Sequence, residues 1–328
     1  MKKNILVIGN GAFGIAISQI LLDNDHNVFM FSKNVEAGEK LKRGYHSLFP
    51  DVKLKTPTNV YSDYNEAFKN NIDMIVLCVP SISINDIFVQ IKPYLKNNMI
   101  VINTAKGLNP VDSSMWSTLF MKDNLVREYC LIVGPSFASE IVQKNRTIIN
   151  IVCKDKVVAQ EVENVFNNNY FKLIYFGDEY IASLVSSFKN SLALGLGISN
   201  SLVESVNTQS AYLIIGINEI QKILSKLTNS EEIKLLDFFG IGDIYLTCTS
   251  DESRNYQFGF MIGKVGFKKA TNQLDQQTIE GYRTLKLIND YIEKFNLSCP
   301  LFKCLYQICY EDKDPSTFSD EIWNNINY

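Results

Sequence analysis

The sequence has no pair of cysteines at the spacing of a metal-binding or redox motif. Its seven cysteines stand at positions 78, 130, 153, 248, 299, 304 and 309, and none of them forms a CxxC pair. An odd number of cysteines within apolar segments is typical of reduced thiols in a cytoplasmic protein rather than of a disulfide framework. No metal site is visible either. We therefore predict a cytoplasmic protein without a metal centre.

A membrane-spanning segment and a strong charge are also missing. Met1-Lys2-Lys3 and the apolar run that follows resemble the start of a secretory signal, but Gly9-Asn10-Gly11 interrupts that run early. No later run approaches the roughly 18 apolar residues that a membrane helix needs. A net charge of −3 gives no electrostatic reason to expect nucleic acid or an anionic membrane as the main partner. A chain of 328 residues without repeats then predicts about two globular domains.

A dinucleotide-binding pattern opens the chain. Residues 4–8 form a short apolar run, and Gly9-Asn10-Gly11-Ala12-Phe13-Gly14 follows it directly. Ile17, Ile20 and Leu21 then fall on one face of a helix. In this order of strand, GxGxxG turn and helix, glycines allow the backbone to approach a pyrophosphate at the helix N-terminus. The pattern predicts that Gly9, Gly11 and Gly14 bind NAD(P).

The end of the second predicted strand bears on the choice of coenzyme. NAD-binding proteins usually place a carboxylate about 20 residues beyond the glycines, where it binds the ribose hydroxyls. This chain has Ser32-Lys33 there instead. A cation suits the 2′-phosphate of NADPH, and a solvated loop lysine is the alternative interpretation. We predict a weak preference for NADPH over NADH.

Apolar segments separated by helical patterns predict an α/β fold, a Rossmann-like doubly wound sheet with helices on both faces. In such folds, ligands bind beyond the carboxyl ends of the strands. Three loops follow predicted strands, at residues 79–81, 103–108 and 134–138. Lys106 in the second loop is predicted to bind phosphate or substrate, and a surface charge before a glycine turn is the alternative. Further strands are predicted at residues 74–79, 99–102, 130–133, 148–152 and 172–175.

One ionisable side chain lies in the most apolar helical pattern. Residues 181–198 have leucines and a phenylalanine at helical spacing, which predicts a buried central helix, and Lys189 is the only ionisable residue among them. A buried ammonium needs a carboxylate or a polar cavity, because burying an unpaired charge is costly. Lys189 is therefore either catalytic or part of a structural ion pair. Helical patterns dominate the remainder, so we predict a domain of residues 1–180 and an all-helical domain of residues 181–328.

The helical half contains one segment rich in polar groups, residues 240–255. Asp243 lies between apolar residues, which makes it a natural partner for Lys189 in a catalytic or structural pair. Ser253, Arg254 and Asn255 precede an apolar helix, and together they offer the donors that a phosphate requires. A helix cap beside a surface arginine is the alternative. Glu280, before another helix, is predicted either to reach the cofactor or to stabilise that helix.

Together these segments resemble the bacterial-type NAD(P)-dependent glycerol-3-phosphate dehydrogenases. The resemblance covers nearly the whole chain, and its most specific parts are Lys189-Asn190 and the stretch from Leu246-Thr247-Cys248-Thr249 to Ser253-Arg254-Asn255. It implies that Lys189 donates and accepts the proton, supported by Asp243. It implies cofactor contacts at Ala12, Phe13, Lys33, Lys106, Ala138, Arg254, Thr278 and Glu280. It implies substrate contacts at Lys106, Gly134, Ser136, Lys189, Asp243, Thr247, Ser253, Arg254 and Asn255.

The same resemblance implies reduction of dihydroxyacetone phosphate to sn-glycerol 3-phosphate by NAD(P)H, in a cytoplasmic homodimer that feeds glycerophospholipid synthesis. A related dehydrogenase acting on another small anionic alcohol is one alternative, and a non-catalytic NAD(P)H sensor is another. Two positions depart from the family pattern. Asp25 replaces the usual glycine before His26, and Tyr256-Gln257 replaces two arginines. A left-handed turn would accommodate Asp25, while the loss of the arginines removes positive charge beside the predicted phosphate site.

Overall fold

The structure is a computed structural model that describes residues 1–203, 205–273 and 279–326. These residues form two compact units, Met1–Ser183 and the part of the chain from Leu184 onward. The predicted boundary between residues 180 and 181 falls within one helix, Glu179–Leu202.

The first unit is built on one eight-stranded sheet with the order β3-β2-β1-β4-β5-β6-β7-β8. Neighbouring strands are parallel except for β6 and β7. The first six strands thus have the doubly wound order of a Rossmann fold, and the prediction of an α/β fold is confirmed. The strands are β1 (Asn4–Ile8), β2 (Asn27–Phe31), β3 (Asn59–Tyr61), β4 (Met74–Leu77), β5 (Ile100–Asn103), β6 (Glu128–Val133), β7 (Thr147–Cys153) and β8 (Phe171–Phe176).

Burial explains why apolar runs, rather than alternating patterns, mark these strands. Every residue of β4, β5 and β6 is buried, as expected for a sheet that helices cover on both faces. Among those helices, α1 (Ala12–Asp23) packs against both α6 (Ala138–Val142) and α7 (Lys156–Phe166). The helices of this unit are α1 (Ala12–Asp23), α2 (Val35–Lys42), α3 (Tyr64–Phe68), α4 (Ile84–Ile91), α5 (Trp116–Phe120), α6 (Ala138–Val142) and α7 (Lys156–Phe166).

From Leu184 onward, the described residues form helices and loops without a strand, which confirms the predicted all-helical half. A short helical turn, Phe238–Gly242, leads directly into the helix Asp243–Thr249 and is irregular at Gly240. The helices are α8 (Glu179–Leu202), α9 (Val206–Thr228), α10 (Asp243–Thr249), α11 (Arg254–Val265), α12 (Phe267–Gln273), α13 (Glu280–Phe295), α14 (Pro300–Tyr310) and α15 (Phe318–Asn325).

Among the described residues, α8 is one helix long and apolar enough to cross a membrane. However, 94% of its most apolar window is buried inside the protein. Its glycines also serve internal packing, since a Cβ atom on Gly197 would lie 2.1 Å from the carbonyl oxygen of Tyr256. These properties are those of a core helix, as the sequence predicted.

The cysteines are all free thiols. Six of the seven are buried, and Cys78 is half-buried. Asp25 has a φ of 59°, which is the left-handed conformation anticipated for this replacement of glycine.

Candidate functional site

Each of the three glycines in the GxGxxG turn is required for a different structural reason. Gly9 has a φ of 115°, and a Cβ atom there would lie 2.2 Å from the carbonyl oxygen of Cys78. A Cβ atom on Gly14 would lie 2.1 Å from the carbonyl oxygen of Gly9, so α1 packs tightly on the turn. At Gly11 a Cβ atom would meet nothing within 4 Å, so a ligand can approach the backbone. This division of roles fits a dinucleotide at the N-terminus of α1, where Ala12 and Phe13 lie in the first turn.

The turn is connected to the end of β2 through a polar relay that was not predicted from the sequence. Asn10 Nδ2 donates to Ser32 Oγ over 3.0 Å, and Ser32 Oγ donates to the carbonyl oxygen of Asn34 over 2.7 Å. Asn34 in turn caps α2 by accepting from the N–H of Ala37. Ser32 is buried whereas Lys33 beside it is exposed. The relay therefore fixes the backbone that carries Lys33.

The loop after β5 is fixed by a buried asparagine. Asn103 Oδ1 accepts from the N–H of Ala105 over 2.9 Å, and Asn103 Nδ2 donates to Tyr129 Oη over 2.9 Å. Gly107 then turns the chain with a φ of 81°. These contacts position the partly exposed Lys106 at the carboxyl end of its strand.

The loop after β6 is equally constrained. Gly134 has a φ of 151°, and a Cβ atom there would lie 2.7 Å from Ile149. Ser136 Oγ donates to the carbonyl oxygen of Gly134 over 3.1 Å, and Ala138 begins α6. Because β1, β2, β4, β5 and β6 are parallel, their carboxyl ends share one edge of the sheet. That edge brings together the predicted residues of this unit: Gly9, Gly11, Ala12, Phe13, Gly14, Lys33, Lys106, Gly134, Ser136 and Ala138.

In the helical unit, Lys189 and Asp243 form a buried ion pair. Lys189 is 0% exposed and Asp243 is 1% exposed. Lys189 Nζ lies 2.6 Å from Asp243 Oδ1 and donates over 2.6 Å to Thr247 Oγ1. Thr247 Oγ1 donates to the carbonyl oxygen of Asp243 one helical turn earlier, over 2.7 Å. The ammonium is thus held by two groups of α10, and its position is defined.

The thiol beside this pair is not a candidate nucleophile. Cys248 Sγ lies 3.9 Å from the carbonyl oxygen of Lys189. Burial raises the pKa of the Cys248 thiol well above its usual range, although the charge of Lys189 opposes this shift and that of Asp243 adds to it. The nucleophilic form of cysteine is the thiolate, and this environment disfavours it.

The N-terminus of α11 carries the predicted anion-binding residues. Ser253 Oγ accepts from the N–H of Tyr256 over 3.3 Å and so caps the helix, which is one of the two roles considered. Arg254 and Asn255 form the first turn, where unpaired backbone N–H groups favour an anion. Tyr256 is buried and contacts Asn200, and its pKa is raised chiefly by burial. Tyr256 is thus part of the packing of this helix.

Of the two predicted cofactor-binding residues near α13, Glu280 is described by the structure and Thr278 is not. Glu280 lies in the first turn of α13, and its Oε2 accepts from Asn190 Nδ2 over 3.2 Å. Thr278 lies outside the described residues. Ser191 and Gly281, which were not predicted to have a role, are joined by a 2.7 Å hydrogen bond from Ser191 Oγ to the carbonyl oxygen of Gly281. A signal was present, since Lys189-Asn190-Ser191 is a run of three polar residues within an apolar helix.

The sequence matches two models of one family and several of its members. Residues 4–159 match the family model described as NAD-dependent glycerol-3-phosphate dehydrogenase N-terminus, and residues 178–320 match the C-terminus model of the same family. A glycerol-3-phosphate dehydrogenase [NAD(P)+] of Malacoplasma penetrans is 31% identical, with 99% of this chain and 98% of the relative covered. The enzyme of that name from Mycoplasma mobile is 34% identical, with 98% and 96% covered.

Solved structures show the same fold. The crystal structure of glycerol-3-phosphate dehydrogenase from Coxiella burnetii superposes with a TM-score of 0.86 at 24% identity, covering 98% of this chain and 99% of the other. The Plasmodium falciparum glycerol-3-phosphate dehydrogenase gives a TM-score of 0.86 at 22% identity, covering 100% and 97%. Both family models match, and together they span most of the sequence. The chain therefore belongs to the NAD-dependent glycerol-3-phosphate dehydrogenase family.

Proposed function

We propose that this chain catalyses the reversible, NAD(P)H-dependent reduction of dihydroxyacetone phosphate to sn-glycerol 3-phosphate. The observation that carries the proposal is the buried ammonium of Lys189, held by Asp243 and Thr247 in a member of this family. A buried ion pair is weak evidence of stabilisation by itself, because desolvation offsets much of the attraction. A chemical role gives a reason for its presence.

The coenzyme site that we assign is the turn from Gly9 to Gly14. Its open backbone at Gly11 and the N-terminus of α1 suit a pyrophosphate. When bound, NAD(P)H would supply the hydride that reduces the C2 carbonyl of the substrate.

Lys189 is assigned as the general acid. Its proton moves to the C2 oxygen as the carbonyl becomes an alcohol, and its positive charge stabilises the alkoxide that develops before that transfer. Asp243 and Thr247 hold Nζ in one position, so little reorganisation is needed when the charge develops. In the reverse direction, the neutral amine accepts the proton of the alcohol.

Arg254 and Asn255 are assigned to the phosphate of the substrate. A guanidinium and an amide in the first turn of α11 provide charge-assisted hydrogen bonds, and the helix dipole adds to them. Holding the phosphate orients the remote carbonyl for reaction. On the family resemblance we also assign Ser253, Lys106, Gly134 and Ser136 to substrate binding, and Ala138, Thr278 and Glu280 to the coenzyme.

The end of β2 supports a weak preference for NADPH. A cavity of about 170 Å³ lies there, lined by Asn34, Glu36, Ala37, Lys40, His46 and Ser47. Glu36, the carboxylate in this lining, is paired with Lys40 over 2.8 Å. Position 33, where NAD-binding proteins usually carry a carboxylate, is instead an exposed lysine, whose ammonium suits a 2′-phosphate.

We further propose that the protein acts as a cytoplasmic homodimer and supplies glycerol 3-phosphate for glycerophospholipid synthesis. Light scattering at several protein concentrations tests the dimer. A mass of one chain at every concentration would contradict it.

The proposed function is tested by following NADPH and NADH oxidation with dihydroxyacetone phosphate. We expect activity with both coenzymes, and we expect Lys189→Ala to lower kcat at least about 100-fold because the general acid is lost. The Kd for NADPH should stay near that of the wild type, which also shows that the variant is folded. Near-normal turnover of Lys189→Ala would remove this residue from the mechanism.

The same assay separates the alternatives. Turnover of another small anionic ketone in preference to dihydroxyacetone phosphate would indicate a related dehydrogenase. NADPH binding without oxidation across a panel of keto-phosphates would indicate a sensor.

A further inference from the structure

Three segments of the helical unit meet at the backbone of Gly281, in the first turn of α13. The N–H of Gly281 donates to Asn255 Oδ1 over 2.9 Å. Its carbonyl oxygen accepts from Ser191 Oγ over 2.7 Å. The preceding Glu280 accepts from Asn190. Gly281 therefore joins the helix that carries Lys189 to the helix turn that carries Arg254 and Asn255.

The contact with Gly281 determines which way the Asn255 amide faces. A backbone N–H can only donate, so the side-chain atom that it meets must be the oxygen Oδ1. The Nδ2 group, with its two hydrogens, then faces away from Gly281. An amide held in this way offers donors to a ligand, and the oxyanions of a phosphate require donors.

The close approach explains why residue 281 is glycine. A Cβ atom there would lie 2.4 Å from the carbonyl oxygen of Asn190 and 2.8 Å from Asn255 Oδ1. Any side chain would push the start of α13 away from both residues. Ser191 is 0% exposed, so its hydrogen bond to Gly281 is shielded from competition by water.

We propose that Ser191 and Gly281 are positioning residues, which orient the amide of Asn255 so that Nδ2 donates to the phosphate of the substrate. This inference rests on the proposed function and extends it to two residues outside the ion pair and the anion-binding turn. Ser191 acts on Asn255 through the backbone of Gly281. The effect of Ser191 on substrate binding therefore requires Gly281 and Asn255 to be present.

A double-mutant cycle tests the coupling. We expect Ser191→Ala to raise KM for dihydroxyacetone phosphate about 3- to 10-fold, the effect of one lost buried hydrogen bond, with kcat nearly unchanged. In an Asn255→Ala background the same substitution should change KM less than about 1.5-fold, because its target is absent. With dihydroxyacetone, which lacks the phosphate, Ser191→Ala should leave kcat/KM unchanged.

Ser18→Ala is the matched control. Ser18 is 1% exposed, and its hydroxyl also donates to a backbone carbonyl over 2.7 Å, at Ile15 in α1. The Ser18→Ala variant removes an equivalent hydrogen bond elsewhere in the chain, so its KM for dihydroxyacetone phosphate should equal that of the wild type.

Asn255→Asp provides a second test that does not depend on Ser191. The carboxylate keeps an oxygen for the N–H of Gly281 but replaces the donor group by a negative charge. We expect the thermal stability of the wild type and a KM at least about 10-fold higher, since one charged hydrogen bond is replaced by repulsion. An unchanged KM for this variant would overturn the proposal, and so would additive effects in the cycle. A wild-type chain that fails to reduce dihydroxyacetone phosphate would instead contradict the proposed function.

Discussion

At the scale of single residues, the most consequential feature is the burial of Lys189 with its partner. Folding removes an ammonium and a carboxylate from water, and their mutual attraction and the hydroxyl of Thr247 offset that cost. Removing one partner deprives the other buried group of the opposite charge that faces it. The pair thus constrains substitutions in the helical unit more than a surface salt bridge would.

This constraint gives a prediction for stability. Lys189→Met should lower the free energy of unfolding by about 3–5 kcal/mol, because the buried carboxyl group of Asp243 loses the ammonium that faces it. Adding Asp243→Asn should recover part of that loss, since a neutral amide depends less on a facing ammonium than a carboxylate does. Urea denaturation of the two variants and the wild type measures both effects. A double variant less stable than Lys189→Met would show that the charge of Asp243 is compensated by other groups.

Lys33 provides the prediction for coenzyme choice. Lys33→Asp replaces a cation by the carboxylate that favours ribose hydroxyls, so the ratio of kcat/KM for NADPH to that for NADH should fall about 5- to 30-fold. Steady-state kinetics with both coenzymes measures this ratio. Lys42→Asp, at an exposed lysine in the last turn of α2, is the control and should leave the ratio unchanged. An unaltered ratio for Lys33→Asp would show that this residue does not contact the adenosine end.

At the scale of helices, the contact of α9 with α14 depends on a buried carboxylate. Glu219 is 2% exposed, and its two oxygens accept from the N–H groups of Leu301 and Phe302 over 2.9 and 3.0 Å. Cys299 provides no side-chain cap for α14, so Glu219 satisfies these N–H groups from another helix. Burial raises the pKa of Glu219 to about 7.

Glu219→Gln should therefore destabilise the protein at neutral pH by about 1–3 kcal/mol, because the amide nitrogen then faces a backbone donor. The direction of this pKa shift also determines how the stability of the protein depends on pH. The folded state favours the protonated carboxyl, so the contribution of Glu219 is present below pH 4.5 and decreases as pH rises towards about 7. The variant should lose this dependence. Chemical denaturation at pH 5 and pH 7.5 measures it, with the exposed Glu232→Gln as control; equal pH dependence in both variants would refute this account.

Secondary structure was predictable wherever burial imposes a simple pattern. The fully buried strands β4, β5 and β6 appear as apolar runs, and α13 appears through its helical periodicity. Strand β3 was missed because it contains three residues, of which only Val60 is buried. A short strand at the edge of a sheet gives too few buried positions to form a pattern.

Parts of the candidate site were predictable from residue chemistry. A lone lysine in an apolar helix indicated the ion pair with Asp243, and the glycine turn indicated the dinucleotide site. The partner of Asn10 was not predictable, and although the polar run around Ser191 marks that residue, its partner Gly281 was not predictable either. These contacts join residues 22 and 90 positions apart, and ordinary serines and asparagines carry no local signal of their distant partners.

At the scale of a whole unit, His26 ties together distant parts of the first unit. The N–H of Lys3 donates to His26 Nδ1 over 3.2 Å, so Nδ1 is the acceptor and Nε2 carries the hydrogen. Nε2 then donates to the carbonyl oxygen of Val165, at the end of α7, over 3.1 Å. The neutral ring satisfies both contacts, and burial lowers the pKa of His26.

The lowered pKa predicts a loss of stability in mild acid. The folded state binds the proton of His26 less readily than the unfolded chain does. The contribution of the neutral ring to stability is therefore fully present above pH 6.5 and decreases as the pH falls below that value. Between pH 7.5 and pH 5.5, we expect His26→Asn to show a decrease in Tm about 1–3 °C smaller than that of the wild type. Differential scanning fluorimetry across this range gives the comparison. Parallel curves would mean that His26 does not contribute.

The buried cysteines can serve as natural reporters of unfolding. Cys130 and Cys153 lie in the sheet, and Cys304 and Cys309 lie in α14, where a labelling reagent reaches them only after local or global opening. Rates of thiol modification, read by mass spectrometry peptide by peptide, would therefore report the opening free energy of each unit without any engineered label. Equal rates in the two units would mean that they open as one cooperative body, and unequal rates would rank them by their own stability.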